Sequence, residues 1–538
     1  MNRVSRLLIL FLFACSLFMP QAAMVSAKEA KPKGKGGKKK SADNGNSLRK
    51  TADKLAMLEQ IHKSFPARKI GGSLVFTSED LDRNLKQRIG ADDKAYAPII
   101  SDEGFLRRVS LDLTGRLPEP DAIKQFIADS NPKKRSQLID RLLESPEYAQ
   151  HWGHYWRTVV LHNAPAKKKQ LNPQALEDWF AEEFEQNTGW DRIVSELLAA
   201  TPKKPKKGTD KGPQDYGPNN FALAFENEPE EIASQTARLF MGINIQCAEC
   251  HDHPFDRWKR EQFHELAAFF SNKTYYMPGA DDPKEKTEMH ARFLLGEKPP
   301  KNMQTPDALR VAVAAYLVYN PDNYWFARAY VNRIWNELLG DGFYSVDSLG
   351  PDKEGTYLPV INRLGAVFRY KDFNIKWVFR TIMNSQAYQR ESRTLAHDDK
   401  LFTAARPCRM RPDQVVAAVE NVTGPLAKSR RTVATTFDAD LSVPQELLEG
   451  SIQQALLLMN NDGLQKALAK SQTKKRLLEI KSDDELIDEL YLNVLARKAT
   501  APELARGHSH LKRSASRSDA IDDLMWVLVN STEFVTKK

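Results

Sequence analysis

Two cysteines and a histidine stand close together in the middle of the sequence, in the stretch QCAECHDHPFDRW from Gln246 to Trp258. Cys247, Cys250 and His251 have the spacing C-x-x-C-H at which a c-type haem is attached. Each thiol can form a thioether with one vinyl group of the haem, and the histidine that follows directly can then bind the iron as its proximal ligand. The spacing therefore predicts one covalently bound haem c.

The residue types around this motif leave two other kinds of site open. A zinc or iron ion could use Cys247 and Cys250 together with ligands from His251, His253, His264 and Asp256, because thiolate, imidazole and carboxylate groups all bind these metals. The same two cysteines could instead form a structural or redox disulfide, which an oxidising compartment would favour. A haem, a metal ion and a disulfide are therefore three alternative predictions for one motif.

An electron-carrying haem normally needs a second strong ligand on the opposite face of the iron. His264 lies thirteen residues after His251, on the helix that is predicted to follow the motif, and that helix could hold the imidazole rigidly. Met277, in the run TYYMPG, is the rival ligand, because a thioether in the next loop could also reach the iron. We favour His264, since a side chain at the start of a linker is more mobile than one on a helix.

The excess of basic residues is confined to the N-terminal tail. Of the formal net charge of +9, residues 1–27 carry +2 and residues 28–50 carry +7, so residues 51–538 have no net charge. The body of the protein therefore gives no support for nucleic-acid binding. Residues 28–50 are of low complexity and rich in Lys and Gly, which predicts a disordered linker. This basic linker is either a solvated spacer or a contact with an acidic envelope surface.

The first residues have the pattern of an export signal. The basic segment MNRVSR precedes the apolar run LLILFLFACSLFM, and Val25, Ser26 and Ala27 offer small residues for cleavage. We expect a signal peptide that is cleaved near Ala27 and a periplasmic or secreted protein, with lipidation at Cys15 or an uncleaved anchor as the alternatives. No later segment reaches the ~18 apolar residues that span a bilayer.

Hydrophobic periodicity predicts helices along the rest of the chain. Helices are predicted over Glu228–Ile245 and Arg257–Ser271, so that the motif lies at the junction between them. The stretch Leu309–Leu339 is predicted to form two helices that are broken at Asn320 and Pro321. No run alternates well enough for a large sheet, so the predicted fold class is all-α. Two helical domains are expected, 51–280 with the motif and 307–538, joined by a linker at 281–306 that is rich in Pro and charge.

Several longer runs resemble a known pair of domains. The runs RRVSLDLTGRLPEPDAI, DRLLESPEYAQHW and TARLFMGINIQCAECHDHPFDRWKREQFHELAAFF resemble an exported, cytochrome-c-like domain of unknown function that is abundant in planctomycetes, the PSCyt type. The runs NPDNYWFARAYVNRIWNELLGDGF, KWVFRTIMNSQAYQRES and DDLMWVLVNSTEFV resemble its companion domain, the PSD type. The resemblance covers roughly residues 75–535 and implies a haem at the same CxxCH, but no established activity.

The chain departs from this family at two places. His154-Tyr155-Trp156-Arg157-Thr158 stands where relatives tend to have Arg-His-Trp-Leu-Asp, and a usual His-Pro pair is replaced around Tyr357-Leu358-Pro359. An activity that depended on those positions is therefore not implied for this chain by the resemblance.

Three classes of function follow. The first is an exported electron-transfer or redox protein with one haem c and a redox partner protein. The second is a metal-dependent envelope enzyme that acts on polysaccharide, and the third is a helical envelope scaffold with a structural Cys/His site. The sequence has no P-loop, no GxSxG and no HExxH, so the corresponding enzyme classes have no motif to support them.

Overall fold

The computed structural model describes twelve parts of the chain: 44–65, 75–90, 92–162, 164–167, 170–202, 212–280, 282, 284–347, 357–393, 402–427, 429–438 and 450–537. The predicted signal peptide lies outside these residues, as does most of the predicted disordered linker. Residues 44–50, which were assigned to that linker, form the beginning of a helix that continues to Ser64. No Gly or Pro follows Gly45 before the apolar positions Leu58 and Ile61, which are buried, and the linker boundary at residue 50 stays a prediction.

The predicted all-α class is confirmed, and the first half of the described chain is almost entirely helical. Its helices are α1 (Asn44–Ser64), α2 (Ser78–Ile89), α3 (Asp102–Thr114), α4 (Pro120–Ala128), α5 (Lys134–Leu143), α6 (Pro146–Leu161), α7 (Pro173–Glu185), α8 (Trp190–Ala199), α9 (Asn219–Ala224), α10 (Pro229–Thr236) and α11 (Arg260–Ala267). Short 3₁₀ turns cover Asp93–Ala95, Pro213–Asp215, Gln246–Glu249 and Ala268–Phe270.

The second half continues in the same way. Its helices are α12 (Pro306–Tyr319), α13 (Tyr324–Leu339), α14 (Leu358–Tyr370), α15 (Ile375–Met383), α16 (Gln386–Gln389), α17 (Pro412–Thr423), α18 (Ser429–Thr436), α19 (Ile452–Asn460), α20 (Asp462–Ala469), α21 (Gln472–Glu479), α22 (Asp483–Leu495), α23 (Ala501–Arg513) and α24 (Arg517–Val529). The predicted break at Asn320 and Pro321 is confirmed by the gap between α12 and α13.

Strands are few among the described residues and form two antiparallel pairs. Strand β1 (Tyr275–Pro278) pairs with β2 (Lys286–Met289), with Tyr275 opposite Met289. Strand β3 (Cys408–Arg409) pairs with β4 (Thr536–Lys537), which joins the C-terminus to the middle of the chain. Helical periodicity could not reveal either pair, because the strands are only two to four residues long.

Local sequence signals set several helix ends. Thr77 and Asp80 form a capping box at the start of α2, in which each residue's side chain accepts a hydrogen bond from the other's backbone N–H. The hydroxyl of Ser145 accepts a hydrogen bond from the N–H of Tyr148 and so caps α6. Helix α3 ends at Gly115, whose φ of 68° is the left-handed conformation that favours glycine.

Two hydrophobic cores hold these elements together. The first contains side chains from Leu58 to Phe402, with Leu492 and Ala496 added from the C-terminal part. The second contains Leu111 and Leu117 together with side chains from Met410 to Val535. The first core therefore includes residues on both sides of the predicted linker at 281–306, and that stretch contains strand β2. The two-domain division stays a prediction.

The described helices contain no candidate membrane span, because none combines sufficient length with sufficient apolar character.

His151, on α6, lies buried against the start of α17. Its Nε2 lies 2.6 Å from the guanidinium of Arg411, and its Nδ1 lies 3.2 Å from the carboxylate of Asp413. Burial, reinforced by the positive charge of Arg411, lowers the pKa of His151 from 6.5 to about 4. His151 is therefore neutral in the folded protein at pH 5, whereas in the unfolded chain it is protonated.

This difference predicts a loss of stability in mild acid. Between the folded pKa of about 4 and the unfolded pKa of 6.5 the unfolded chain binds more protons, so stability falls as the pH falls through this window. The expected loss from His151 between pH 7 and pH 5 is about 2 kcal/mol. Urea unfolding at pH 7 and pH 5 should show this loss in the free energy of unfolding for the wild type and not for His151→Gln. Glutamine does not titrate, and its side-chain oxygen can still accept a hydrogen bond from Arg411. An equal loss in both proteins would refute the role of His151.

Candidate functional site

The chain reaches the CxxCH motif through an irregular helix end. Helix α10 continues into a π-helical turn at Ala237–Met241 and stops at Gly242, whose φ is 68°. A Cβ at Gly242 would lie 3.4 Å from the Cβ of Ala329 on α13, so the backbone passes close to the first core. The helix predicted over Glu228–Ile245 is thus shorter than expected, because the left-handed glycine ends it four residues before the motif.

Cys247 lies on a 3₁₀ turn formed by Gln246–Glu249, and Cys250 follows directly as the residue that ends it. The turn brings the two cysteines close along the chain, one within it and one at its end. Both are exposed free thiols. Ala248, between them, is buried and fixes the opposite side of the turn to the core. Both thiols are therefore accessible at the surface.

His251 is also exposed and is held by its own neighbour. Its ring Nδ1 lies 2.7 Å from the carbonyl oxygen of Asp252, which is a distance at which Nδ1–H donates a hydrogen bond. This bond selects the tautomer whose lone pair is on Nε2, the nitrogen that a metal ion would bind. The histidine that follows the cysteines is thus prepared as a ligand.

Asp252 fixes the backbone after the histidine. Its carboxylate accepts a hydrogen bond of 2.7 Å from Lys259 Nζ and another of 3.1 Å from the backbone N–H of Arg260, at the start of α11. These donors lower the pKa of the Asp252 carboxyl group, which keeps it ionised. The negative charge at the beginning of the helix also complements the helix dipole.

Arg260 links the motif to strand β1. Its Nε donates to the carbonyl oxygen of Glu249 at 3.2 Å, and its NH2 group donates to the carbonyl oxygen of Pro278 at 2.6 Å. One guanidinium therefore holds the turn at the two cysteines beside the end of the strand that contains Met277. A rigid planar side chain with several donors is well suited to joining two carbonyl groups in this way.

His264 lies beneath the turn and is 1% exposed. Its Nε2 lies 3.0 Å from the carbonyl oxygen of Glu249, and its Nδ1 lies 2.7 Å from the hydroxyl of Tyr275, which in turn donates to the carboxylate of Glu230 at 2.7 Å. Burial lowers the pKa of His264. Both ring nitrogens have protein partners, so His264 supports the motif from below. Its assignment as the distal iron ligand stays a prediction and would require these contacts to break.

Met277 lies on a strand, whereas the sequence analysis had placed it in a loop. It lies on strand β1, opposite Thr287, and its side chain is partly exposed. The paired strand and the contact between Arg260 and Pro278 hold this segment, which the sequence had placed at the start of a mobile linker. Met277 therefore remains a candidate distal ligand on a fixed element next to the motif.

His253 and Asp256, the other predicted metal ligands, take part in a short loop. The backbone N–H of His253 donates to the carbonyl oxygen of Trp258 at 2.9 Å, and His253 Nδ1 accepts from the N–H of Phe255 at 3.2 Å. Asp256 accepts from the N–H of Arg257 at 2.7 Å. Throughout the described parts of the chain, no three His, Cys, Asp or Glu side chains lie close enough to hold a metal ion. The metal site at this motif stays a prediction.

The same loop exposes one large aromatic side chain. Phe255 is 92% exposed, more than any of the other exposed large hydrophobic residues of the described chain. The loop is anchored by Trp258, which is buried and packs edge-on against Trp325 at a centroid distance of 6.0 Å. The ring of Phe255 is therefore exposed on a loop whose other aromatic residue, Trp258, is buried.

Sequence reasoning missed the residues that position the motif. Arg260, Tyr275 and Glu230 were not identified, because their contacts join positions 11 to 45 residues apart and leave no periodic signal. The exposure of Phe255 did have a signal. It stands beside His, Pro and Asp in a stretch with no helical stripe, so no periodic pattern assigns it to the core.

Loss of the Arg260 side chain should loosen the turn. Charge-assisted hydrogen bonds contribute about 1.5–3 kcal/mol each, so Arg260→Ala should accelerate hydrogen exchange of the amides in residues 247–252 by about 10- to 100-fold. Lys259→Ala is the matched control, because its pair with Asp252 is exposed and solvent screens it. Equal exchange in the two variants would contradict a positioning role for Arg260.

The chain matches two family models. Residues 80–275 match PSCyt2, described as a protein of unknown function (DUF1549), and residues 310–437 match PSD1, described as a protein of unknown function (DUF1553). Their order confirms the resemblance that the sequence motifs indicated. The first match contains the whole CxxCH motif together with α11. No curated protein and no solved structure matches the chain.

Proposed function

We propose that this chain, in which a PSCyt2-type domain precedes a PSD1-type domain, carries one haem c on Cys247 and Cys250. In this proposal His251 is the proximal ligand of the iron, and the protein transfers electrons outside the cytoplasm to or from a redox partner protein. The observation that carries the proposal is that both thiols of the CxxCH motif are free and exposed at a 3₁₀ turn and its end, with a histidine next to them whose Nδ1 is already hydrogen-bonded.

The thiols fit the chemistry of attachment. Each S–H would add across one vinyl double bond of the haem, with a sulfur–carbon bond formed and the thiol hydrogen transferred to the neighbouring vinyl carbon. The addition needs no oxidant or reductant, and both thiols are accessible for it. A haem attached in this way supplies a one-electron couple at the iron.

Residues of the chain would then hold and orient the group. The hydrogen bond from His251 Nδ1–H to the Asp252 carbonyl fixes the imidazole and increases its basicity. Phe255, four residues further on and at most about 14 Å away along the chain, offers an apolar ring to the macrocycle. Met277 is the distal ligand that we propose in place of His264, because both nitrogens of His264 have partners in the protein.

The two alternative sites receive less support from the same geometry. For a metal ion, His253 Nδ1 would have to give up the N–H of Phe255, and among the described residues no three His, Cys, Asp or Glu side chains lie close enough together to hold the ion. A disulfide would not account for the hydrogen bond from His251 Nδ1–H to the Asp252 carbonyl, which leaves Nε2 able to bind a metal ion. It would not account for the exposed ring of Phe255 either. Export, an electron-transfer role and the redox partner remain parts of the proposal.

Visible absorption of the purified protein tests the proposal. The full chain, expressed together with a cytochrome c maturation system, should show the Soret and α bands of a reduced haem c, and the haem should remain bound through denaturing electrophoresis. A colourless protein under these conditions would reject the haem and favour a metal ion or a disulfide at the motif.

A further inference from the structure

A cavity of about 580 Å³ lies outside the motif, between α2, α16 and residues 96–99, with Phe402 at one side. Its volume is within the range of roughly 300–1,000 Å³ that is usual for small-molecule sites. None of its lining residues belongs to the candidate haem site, and the proposed function does not use it. The cavity is therefore a candidate for a second, independent site.

Backbone hydrogen bonds hold two walls of the cavity together. The N–H of Ile100 donates to the carbonyl oxygen of Gln389 at 2.8 Å, and the N–H of Glu391 donates to the carbonyl oxygen of Pro98 at 2.9 Å. These bonds pair the segment at 96–99 with the end of α16. The shape of the cavity therefore does not depend on side-chain packing alone.

The lining contains apolar side chains from several parts of the chain: Leu85, Ile89, Ile99, Ala387 and Phe402. Ile99 is 46% exposed although it is a large aliphatic residue, so part of this apolar surface is in contact with water. A ligand with an apolar body would remove that surface from water, which is favourable.

The basic side chains of the lining are already engaged by the protein. Arg83 forms an ion pair with Asp80 at 2.8 Å, and Arg390 donates to the carbonyl oxygen of Ala97 at 2.6 Å. Lys86 also interacts with a neighbouring group. Because the protein itself compensates these cations, an anionic ligand would gain little from them.

Asp82 contributes a carboxylate to the lining, and this group is also held by the protein. One of its oxygens accepts the backbone N–H of Gln386 at 2.8 Å, and the other accepts the N–H of Ala387 at 3.2 Å. A carboxylate has about four acceptor positions, so Asp82 can accept a further hydrogen bond from a group in the cavity. A neutral O–H donor suits this position, because it adds a hydrogen bond without adding a charge.

We infer that this cavity binds an uncharged ligand with an apolar body and a hydroxyl group, such as a medium-chain alcohol. The apolar walls cover the chain of the ligand, and its hydroxyl group donates to the carboxylate of Asp82. A charged head group of either sign would lose water in the cavity without meeting an unpaired counter-ion, and that desolvation is costly.

Calorimetry with three probes of equal chain length tests the charge preference on the full chain. Octan-1-ol should bind at least about fivefold more tightly than either octanoate or octyltrimethylammonium. An ion that bound as tightly as the alcohol would overturn the argument from compensated charges. The absence of binding by all three probes would overturn the site.

Heptyl methyl ether is the matched probe for the hydroxyl group. It has as many heavy atoms as octan-1-ol, but it cannot donate a hydrogen bond to Asp82. We expect it to bind about tenfold more weakly than the alcohol, since a hydrogen bond to a charged group is stronger than one between neutral groups. Equal affinity for the ether and the alcohol would contradict the role of Asp82.

A pair of variants locates the binding. Ile99→Trp should fill the cavity and weaken the binding of octan-1-ol at least about tenfold. Ile452→Trp is the control, because it changes another exposed isoleucine that lies outside the cavity, and it should leave the affinity unchanged. Unchanged binding in Ile99→Trp would place the alcohol elsewhere and contradict the proposal.

Discussion

Replacement of Cys247 and Cys250 together by alanine should abolish covalent haem. Without the sulfur atoms no thioether can form, and His251 alone cannot retain haem through denaturation. After expression with the maturation system, the wild type should stain for haem on a denaturing gel and the double variant should not. The expected change is a complete loss of the signal.

Cys408→Ala is the matched control for this result. Cys408 is buried, its Sγ lies 3.3 Å from the carbonyl oxygen of Arg406, and burial raises the pKa of its thiol to about 12. An inert thiol of this kind is not available for attachment. The control should keep the haem signal of the wild type. Loss of the signal in Cys408→Ala, or its survival in the double variant, would contradict attachment at the CxxCH turn.

The largest effect on stability is expected at Arg497. Its guanidinium is 0% exposed and forms two hydrogen bonds with Glu503, at 2.6 and 2.7 Å, and two with Glu533, both at 3.2 Å. Arg497→Met would leave two carboxylates without their buried counter-ion. The free energy of unfolding should fall by about 3–5 kcal/mol, which urea denaturation would measure.

An exposed arginine provides the comparison. Arg430 pairs with Glu420, and the arginine side chain is 61% exposed, so solvent screens the pair. Arg430→Met should therefore change the free energy of unfolding by about 0–1 kcal/mol. If Arg497→Met lowered the free energy of unfolding by no more than Arg430→Met does, the ion pairs of Arg497 with Glu503 and Glu533 would not be what holds α23 against the C-terminal residues.

Sequence reasoning succeeded where a local pattern determines the structure. The all-α class, the break at Asn320 and Pro321 and the helix after the motif all follow from apolar spacing and from Pro and Gly positions. The CxxCH motif was recognisable because its chemistry depends on the spacing of adjacent residues. These features require no knowledge of which distant segments meet.

The parts that the sequence did not reveal depend on distant contacts. Glu230 and Tyr275 hold His264 from two separate elements, and Arg260 joins the motif to a strand inside a region predicted as the start of a linker. The cluster around Arg497 brings together residues 6 and 36 positions apart. Periodicity reports which face of a helix is apolar, but it cannot report which polar side chains meet across a fold.

Mass spectrometry of one tryptic peptide tests the central claim most directly. Cleavage after Arg238 and Arg257 releases residues 239–257, which contain Cys247, Cys250 and His251 and no other cysteine. From protein matured with haem, this peptide should carry the mass of one haem, with neither cysteine open to alkylation. A peptide at its unmodified mass with two alkylated cysteines, or one that lacks only the two thiol hydrogens of a disulfide, would contradict covalent haem at this site.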